Sequence, residues 1–189
     1  MQVDLRRIAE IEVLTPQAER VRLGSLFESK PSVLIWLRHF GCSFCLEQVK
    51  VLMSALGEIE ETGGQLVLIG QGNPEQALRF QQLKAPGVQV VTDPERVSYR
   101  AIGAHRAFWG LFSPHDIAAW RRGRRLGIRT EGLQGDALQL GAALVVAPPD
   151  RLMLMHINSS LGDHPQVREL VTALQGAARM PMLAKGAPV

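Results

Sequence analysis

Residues 32–45, SVLIWLRHFGCSFC, contain a five-residue apolar run, a turn and both cysteines of the 189-residue chain. Ser32 to Trp36 is short, continuous and rich in branched side chains, and it follows Lys30-Pro31, so it predicts a buried strand. Past the turn the apolar period changes. Cys45, Val49, Leu52, Met53, Leu56 and Ile59 recur at intervals of three and four, the apolar stripe of a helix, and Gly63-Gly64 ends it. A strand thus delivers Cys-x-x-Cys to the start of a helix.

Outward from there, Gln65 to Gly70 (QLVLIG) reads as a second buried strand, so residues 32–70 form a strand, helix, strand unit with a parallel crossover. Asn73-Pro74 supplies a cap and a first-turn proline for a helix running to about Leu83. Val88 to Val91 is the next strand, and Asp93-Pro94 repeats the helix-starting device. Residues 103–142 are irregular, mixing Phe108, Trp109, Leu111 and Phe112 with a basic run. The stretch ALVVAPPDRLMLMHI, residues 143–157, predicts an antiparallel hairpin about a tight Pro-Pro-Asp turn. A last helix is expected from near Asp163, with Gln166 completing a capping-box variant, a stripe of Val167, Leu170, Val171 and Leu174, and Gly176 as its close. These elements predict an α/β domain over residues 1–178, with 103–142 as an insertion-like segment and 179–189 as a flexible tail. A mixed central sheet flanked by helices, in the thioredoxin order of elements, follows.

Composition narrows the function. A hydrophobic fraction of 46% argues against disorder, and a net charge of +3 from 21 basic and 18 acidic residues is too small to demand a nucleic-acid partner. The N-terminal MQVDLRRIAEIEVL carries charges at Asp4, Arg6, Arg7, Glu10 and Glu12 and lacks the apolar core of a secretory signal. No apolar run approaches the roughly 18 residues of a membrane span. The expected location is therefore cytoplasmic, where two cysteines point to redox or metal chemistry rather than to a structural disulfide. The run RRGRRLGIR, Arg121 to Arg129, is read as a solvated loop in preference to a site for phosphate or an acidic partner.

The attacking species at a cysteine is the thiolate, and a helix N-terminus stabilises it through unpaired N–H groups and the helix dipole. Cys42, at the very start of the helix, gains most. Arg38 and His39 add positive potential just upstream, but successive side chains alternate in direction, so at most one of them faces the sulfur. Ser43 is positioned to cap the helix and donate to a thiolate, while Phe44 is expected to pack. The spacing lets Cys45 attack a mixed disulfide on Cys42, which makes Cys42 the nucleophile and Cys45 the resolving thiol. A structural zinc site needs four ligands, and His105, His115, His156 and His164 are scattered. For His164 a structural cap is expected, and for Phe108, Trp109 and Phe112 core filling. No cofactor is required.

WLRHFGCSFC, together with LVLIGQGNPEQALRF, VVTDPERVSYRAIG and GDHPQVRELVTAL, resembles the peroxiredoxin-like thioredoxin-fold proteins of the AhpC/TSA type, from about residue 10 to residue 175. The resemblance implies a thioredoxin-like fold with a peroxiredoxin-like elaboration. It also implies either a thiol-disulfide oxidoreductase or a thiol-dependent peroxide reductase. The partners implied are a thiol reductant such as a thioredoxin or glutathione system and a peroxide or disulfide substrate, with neither nucleic acid nor membrane, and a homodimer is compatible. Two departures stand out. Against the peroxiredoxin pattern Pro-x-x-x-Thr-x-x-Cys, Cys45 occupies the cysteine, Cys42 the threonine and Arg38 the proline, an alignment that would make Cys45 the attacking residue. The arginine that peroxiredoxins carry before the terminal hairpin should fall near Gly141 or Ala142, and neither it nor the proline of thioredoxin-type enzymes is there. Two other readings remain open: a non-enzymatic interaction protein on the same fold, using the arginine run and aromatic patch, and a metal-binding regulator acting through the cysteines.

Overall fold

The computed structural model describes residues 3–106, 121 and 135–179. The aromatic patch at 108–112, the arginine run beyond Arg121 and the tail from 180 onward lie outside the described residues. In chain order the elements are α1 (Leu5–Ala9), β1 (Glu12–Leu14), β2 (Arg20–Arg22), a 3-10 turn (Leu23–Leu26), β3 (Ser32–Trp36), α2 (Ser43–Ser54), α3 (Leu56–Glu61) and β4 (Gln65–Gly70). Then come α4 (Pro74–Lys84), β5 (Gln89–Thr92), α5 (Val97–Ala101), β6 (Ala142–Ala147), β7 (Arg151–Ile157) and α6 (Val167–Arg179).

The strands form one seven-stranded sheet in the order β2-β1-β5-β4-β3-β6-β7. β3, β4 and β5 run parallel, with Trp36 opposite Ile69 and Gly70 opposite Thr92, while β6 and β7 add antiparallel on the other side of β3. The sheet is mixed and covered on both faces, so its central strands are apolar throughout while still splitting their side chains by alternation. Val33, Ile35, Leu66, Leu68, Ala143 and Val145 pack beneath α2, α3, α4 and α6. Leu34, Trp36, Val67, Ile69, Leu144 and Val146 pack on the opposite face against α1, the 3-10 turn and α5.

Four details differ from the sequence reading. The first helix is broken: Ala55 leaves helical geometry and its N–H turns to the Leu52 carbonyl at 3.1 Å, between the weak helix formers Ser54 and Gly57. Asp93 does not occupy the cap position of α5, which is Arg96 in the left-handed region at φ 56°. Its carboxylate instead accepts the N–H groups of Val97 and Ser98 at 3.2 and 2.7 Å, which satisfies the same orphan donors from further back. The last helix opens at Val167 rather than near Asp163, because the Asp163 carboxylate is occupied by Ser159 N–H and Oγ at 2.7 Å and by His156 Nε2 at 2.9 Å. Gly176 lies inside that helix, which runs on to Arg179. The short N-terminal strands β1 and β2, three residues each, were not legible in the pattern.

The parallel strands β3, β4 and β5 end together, and the loops after them, at residues 37–42, 71–73 and 93–96, gather outside their carboxyl ends. Open α/β sheets place their ligand sites there.

Candidate active site

β3 ends at Trp36, Leu37 still pairs its N–H with the Ile69 carbonyl at 2.8 Å, and the chain then turns so that Cys42 N–H reaches the His39 carbonyl at 3.2 Å. Cys42 is the N-cap residue of α2, with extended backbone (φ −74°, ψ 122°), and its carbonyl accepts the Leu46 N–H at 2.9 Å. Ser43 is the first helical residue rather than the cap; Cys42 holds the N-cap position without a side-chain cap hydrogen bond. Cys45 lies one turn on, in the apolar stripe of α2 and in the core beneath the sheet. Both cysteines are free thiols, 2% and 1% exposed.

The two sulfurs have different partners. Arg38 Nη1 donates to Cys42 Sγ at 3.1 Å, whereas Cys45 Sγ accepts the backbone N–H of Arg38 at 3.3 Å. Arg38 is 5% exposed, and its remaining contacts are to neutral oxygens: Nε donates to the Gln139 carbonyl at 3.2 Å and Nη2 to the Ala137 carbonyl. A buried cation held otherwise by carbonyls is best satisfied by an anion, and the sulfur is the group placed to become one. A hydrogen bond from the Cys45 thiol, with the Arg38 charge and the N–H groups of Cys45 and Phe44, pulls the Cys42 thiol down to about 6 against the opposing effect of burial. Burial pushes the Cys45 thiol well up, reinforced by its hydrogen bond to Cys42 and by the charge that develops there.

His39 does not join this arrangement. It is buried, its Nδ1 has no hydrogen-bond partner among the described residues, and burial followed by the Arg38 charge lowers its pKa to about 4. It is a neutral ring at physiological pH. The structure therefore places Arg38, and not His39, against the Cys42 sulfur. His164 does not cap a helix; its Nδ1 lies 3.1 Å from Asn158 Nδ2 in the loop after β7.

Of the two positions where the peroxiredoxin arginine is expected, Gly141 has no room for one. A Cβ on Gly141 would stand 2.3 Å from the Trp36 carbonyl oxygen, so β6 can approach β3 at that point only through a glycine. The cation arrives from the end of β3 instead.

Sequence reasoning did not reach Gln71, Asp136, Ala137 and Gln139, which hold Arg38 from elsewhere in the chain. Gln71 Nε2 donates to the Arg38 carbonyl and, at 2.9 Å, to that of Asp136, while Gln71 Oε1 accepts the Asp136 N–H at 2.8 Å. One signal was present: a glutamine directly after a buried parallel strand sits at the carboxyl edge where such sheets keep their sites. Among the described residues no three His, Cys, Asp or Glu side chains gather as a metal site, and no helix is long and apolar enough to cross a membrane.

Comparison with known proteins bears on the same site. Residues 51–160, more than half of the chain, match the family model described as AhpC/TSA antioxidant enzyme. The chain belongs to the AhpC/TSA family. It is 29% identical over 175 residues to Peroxiredoxin-like 2C of Homo sapiens, covering 87% of this chain and 77% of that protein. It is 30% identical over 184 residues to the Prostamide/prostaglandin F synthase of Sus scrofa, covering 91% and 88%. Peroxidoxin BcpB from Mycobacterium tuberculosis shares the fold, with a TM-score of 0.65 over 92% of this chain and 96% of that one at 14% identity. The fold is thus thioredoxin-like in its peroxiredoxin form, and the family membership supports a redox function. The matched stretch begins after both cysteines, so the case for this dithiol rests on its own geometry.

Proposed function

We propose that the protein is a thiol oxidoreductase in which Cys42 attacks and Cys45 resolves. The observation that carries this reading is the asymmetry of the two sulfurs: Cys42, the N-cap residue of α2, has a buried guanidinium 3.1 Å from its sulfur, while Cys45 Sγ, equally buried, accepts the backbone N–H of Arg38 at 3.3 Å. In the first step the Cys42 thiolate attacks one sulfur of a substrate disulfide, forming a mixed disulfide and expelling a thiolate. Cys45 then gives up its proton and attacks Cys42 Sγ; the second substrate thiolate leaves and takes a proton. The substrate gains two electrons, and the Cys42–Cys45 disulfide is returned to the dithiol by an external thiol reductant such as a thioredoxin or glutathione system.

A peroxide substrate uses the same first nucleophile. The Cys42 thiolate takes the terminal peroxide oxygen to become a sulfenic acid, an alcohol or water leaves, and Cys45 condenses with the sulfenic acid to give the disulfide and water. Family membership favours this second substrate class. Neither route assigns the first attack to Cys45, whose raised pKa opposes it.

The reduced protein is exposed separately to hydrogen peroxide and to an oxidised dithiol, denatured in alkylating agent and weighed intact. The expected product with at least one oxidant has lost two hydrogens and carries no alkyl group, and Cys42→Ser abolishes it. Two alkyl groups on the wild-type protein after both oxidants would overturn the proposal.

A further inference from the structure

The Arg38 guanidinium is held in place by a clasp assembled from three other parts of the chain. A long side chain aimed at one atom loses rotamer entropy of up to about 2 kcal/mol, so something must hold it there. Two of its three hydrogen bonds go to the carbonyls of Ala137 and Gln139. The segment carrying those carbonyls, residues 135–140, meets residues 104–106 outside the named strands, through the isolated bridge Arg106–Gln139, Leu140 N–H on the His105 carbonyl at 3.0 Å, and Gln139 Nε2 on the Ala104 and His105 carbonyls at 3.1 and 3.3 Å. At its start, ahead of the two carbonyls, it is fixed by Gln71 and Asp136. Gln71, 4% exposed, reads both backbone groups of Asp136 as a strand partner would, and the same amide nitrogen donates to the Arg38 carbonyl. It thus ties the root of the arginine to the segment that receives its tip. The Asp136 carboxylate accepts Leu138 N–H at 3.0 Å on one oxygen, and Arg106 Nε at 2.8 Å and Arg96 Nη1 on the other, pinning the segment to α5 and its flank. Gly135, at φ +99°, lets the chain pass so close to Gln71 that a Cβ would lie 2.8 Å from Oε1.

We propose that Gln71 and Asp136 are positioning residues for the redox centre: by fixing the Ala137 and Gln139 carbonyls relative to Arg38, they aim Nη1 at Cys42 Sγ and so set the reactivity of that sulfur. This rests on the reading of Cys42 as nucleophile. The titratable groups around Cys42 are Arg38, His39 and Cys45; Tyr99, on α5, has its pKa raised by burial and by the charges of Asp93 and Cys45, and Asp136, Arg96 and Arg106 stand behind the segment. Asp136 carries its influence through Arg38, because its own charge is already met by two guanidiniums.

The test is a pH titration of the reduced full-length protein by ultraviolet thiolate absorbance, which needs no reagent to reach a buried sulfur, with Cys42→Ser giving the background. Asp136→Asn, nearly isosteric, and Gln71→Leu should each raise the Cys42 midpoint by about one pH unit, roughly a tenfold loss of thiolate at a fixed pH below the midpoint. Val90→Ala, which loosens the same core from β5 without removing any hydrogen bond of the clasp, should leave the midpoint where it is. A midpoint unmoved in both clasp variants, with native circular dichroism, would overturn the proposal. So would an equal shift in Val90→Ala, since loss of stability alone would then be the cause. Arg38→Leu separates this inference from the reading beneath it: if that variant moves the midpoint and the clasp variants do not, only the clasp fails. If Arg38→Leu also leaves it unmoved, the Arg38–Cys42 interaction fails with it.

Discussion

The two halves of this site were built by different parts of the chain. The chemical half, Arg38, Cys42 and Cys45, lies within one turn and the first winding of a helix. The tuning half reaches the same atoms from positions 33 to 101 residues further along, through Gln71, Asp136, Ala137 and Gln139. The reacting atoms are fixed by local geometry, because strand, turn and helix cap place the sulfurs almost regardless of what lies elsewhere. The charge that activates one of them depends on long-range contacts, mostly to backbone oxygens. Chemistry and its adjustment are therefore separable by mutation.

The sharpest way to break the join is at Gly141, where the far half touches the near one. Gly141→Ala puts a carbon 2.3 Å from the Trp36 carbonyl and should force β3 and β6 apart, at a cost of about 3 kcal/mol or more, read as a lowered denaturant midpoint. Tyr99→Phe should be milder. The Tyr99 hydroxyl donates to the carbonyls of Leu37 at 2.5 Å and Ile69 at 3.1 Å, directly beneath the turn, and losing it should cost about 1–3 kcal/mol in urea unfolding. If the halves are separable, the Tyr99 variant keeps the Cys42 titration of the wild type.

Arg38→Lys sharpens the comparison from the other side with the smallest effect. Lysine keeps the charge and loses the fork that spans two carbonyls and a sulfur, so the Cys42 midpoint should rise by a fraction of a pH unit. The sign follows from the thiol's lowered value: the thiolate fraction of the wild type increases as pH rises through about 6 and levels above it. The variant should level later, and the same ultraviolet thiolate titration checks it. An unshifted curve would mean that charge alone sets the sulfur, with no contribution from the far half.

The same division governs what the sequence discloses. Ser32–Trp36 and the stripe from Cys45 to Ile59 announce themselves by period, and Asn73-Pro74 with Gln76 forms the full capping box at the start of α4. The hairpin was also legible, with β6 and β7 about a three-residue turn. Its Val145/Val146 register shift was not, since an irregular register has no compositional mark. The clasp was hidden for a related reason: the groups that hold Arg38 are two main-chain carbonyls and a glutamine that reads as an ordinary loop residue. Asp163 misled because one carboxylate can close a loop or cap a helix, and only tertiary structure decides between His156, Ser159 and a helix N-terminus. Ser43 misled by being next to the true cap.

The crowding at Gly141 bears on how such proteins can change. An arginine at the position where peroxiredoxins carry theirs would need a Cβ where the Trp36 oxygen already lies. A change of Gly141 to arginine therefore begins with a variant that folds poorly. Anyone grafting a cation onto position 141 must first respace β3 and β6.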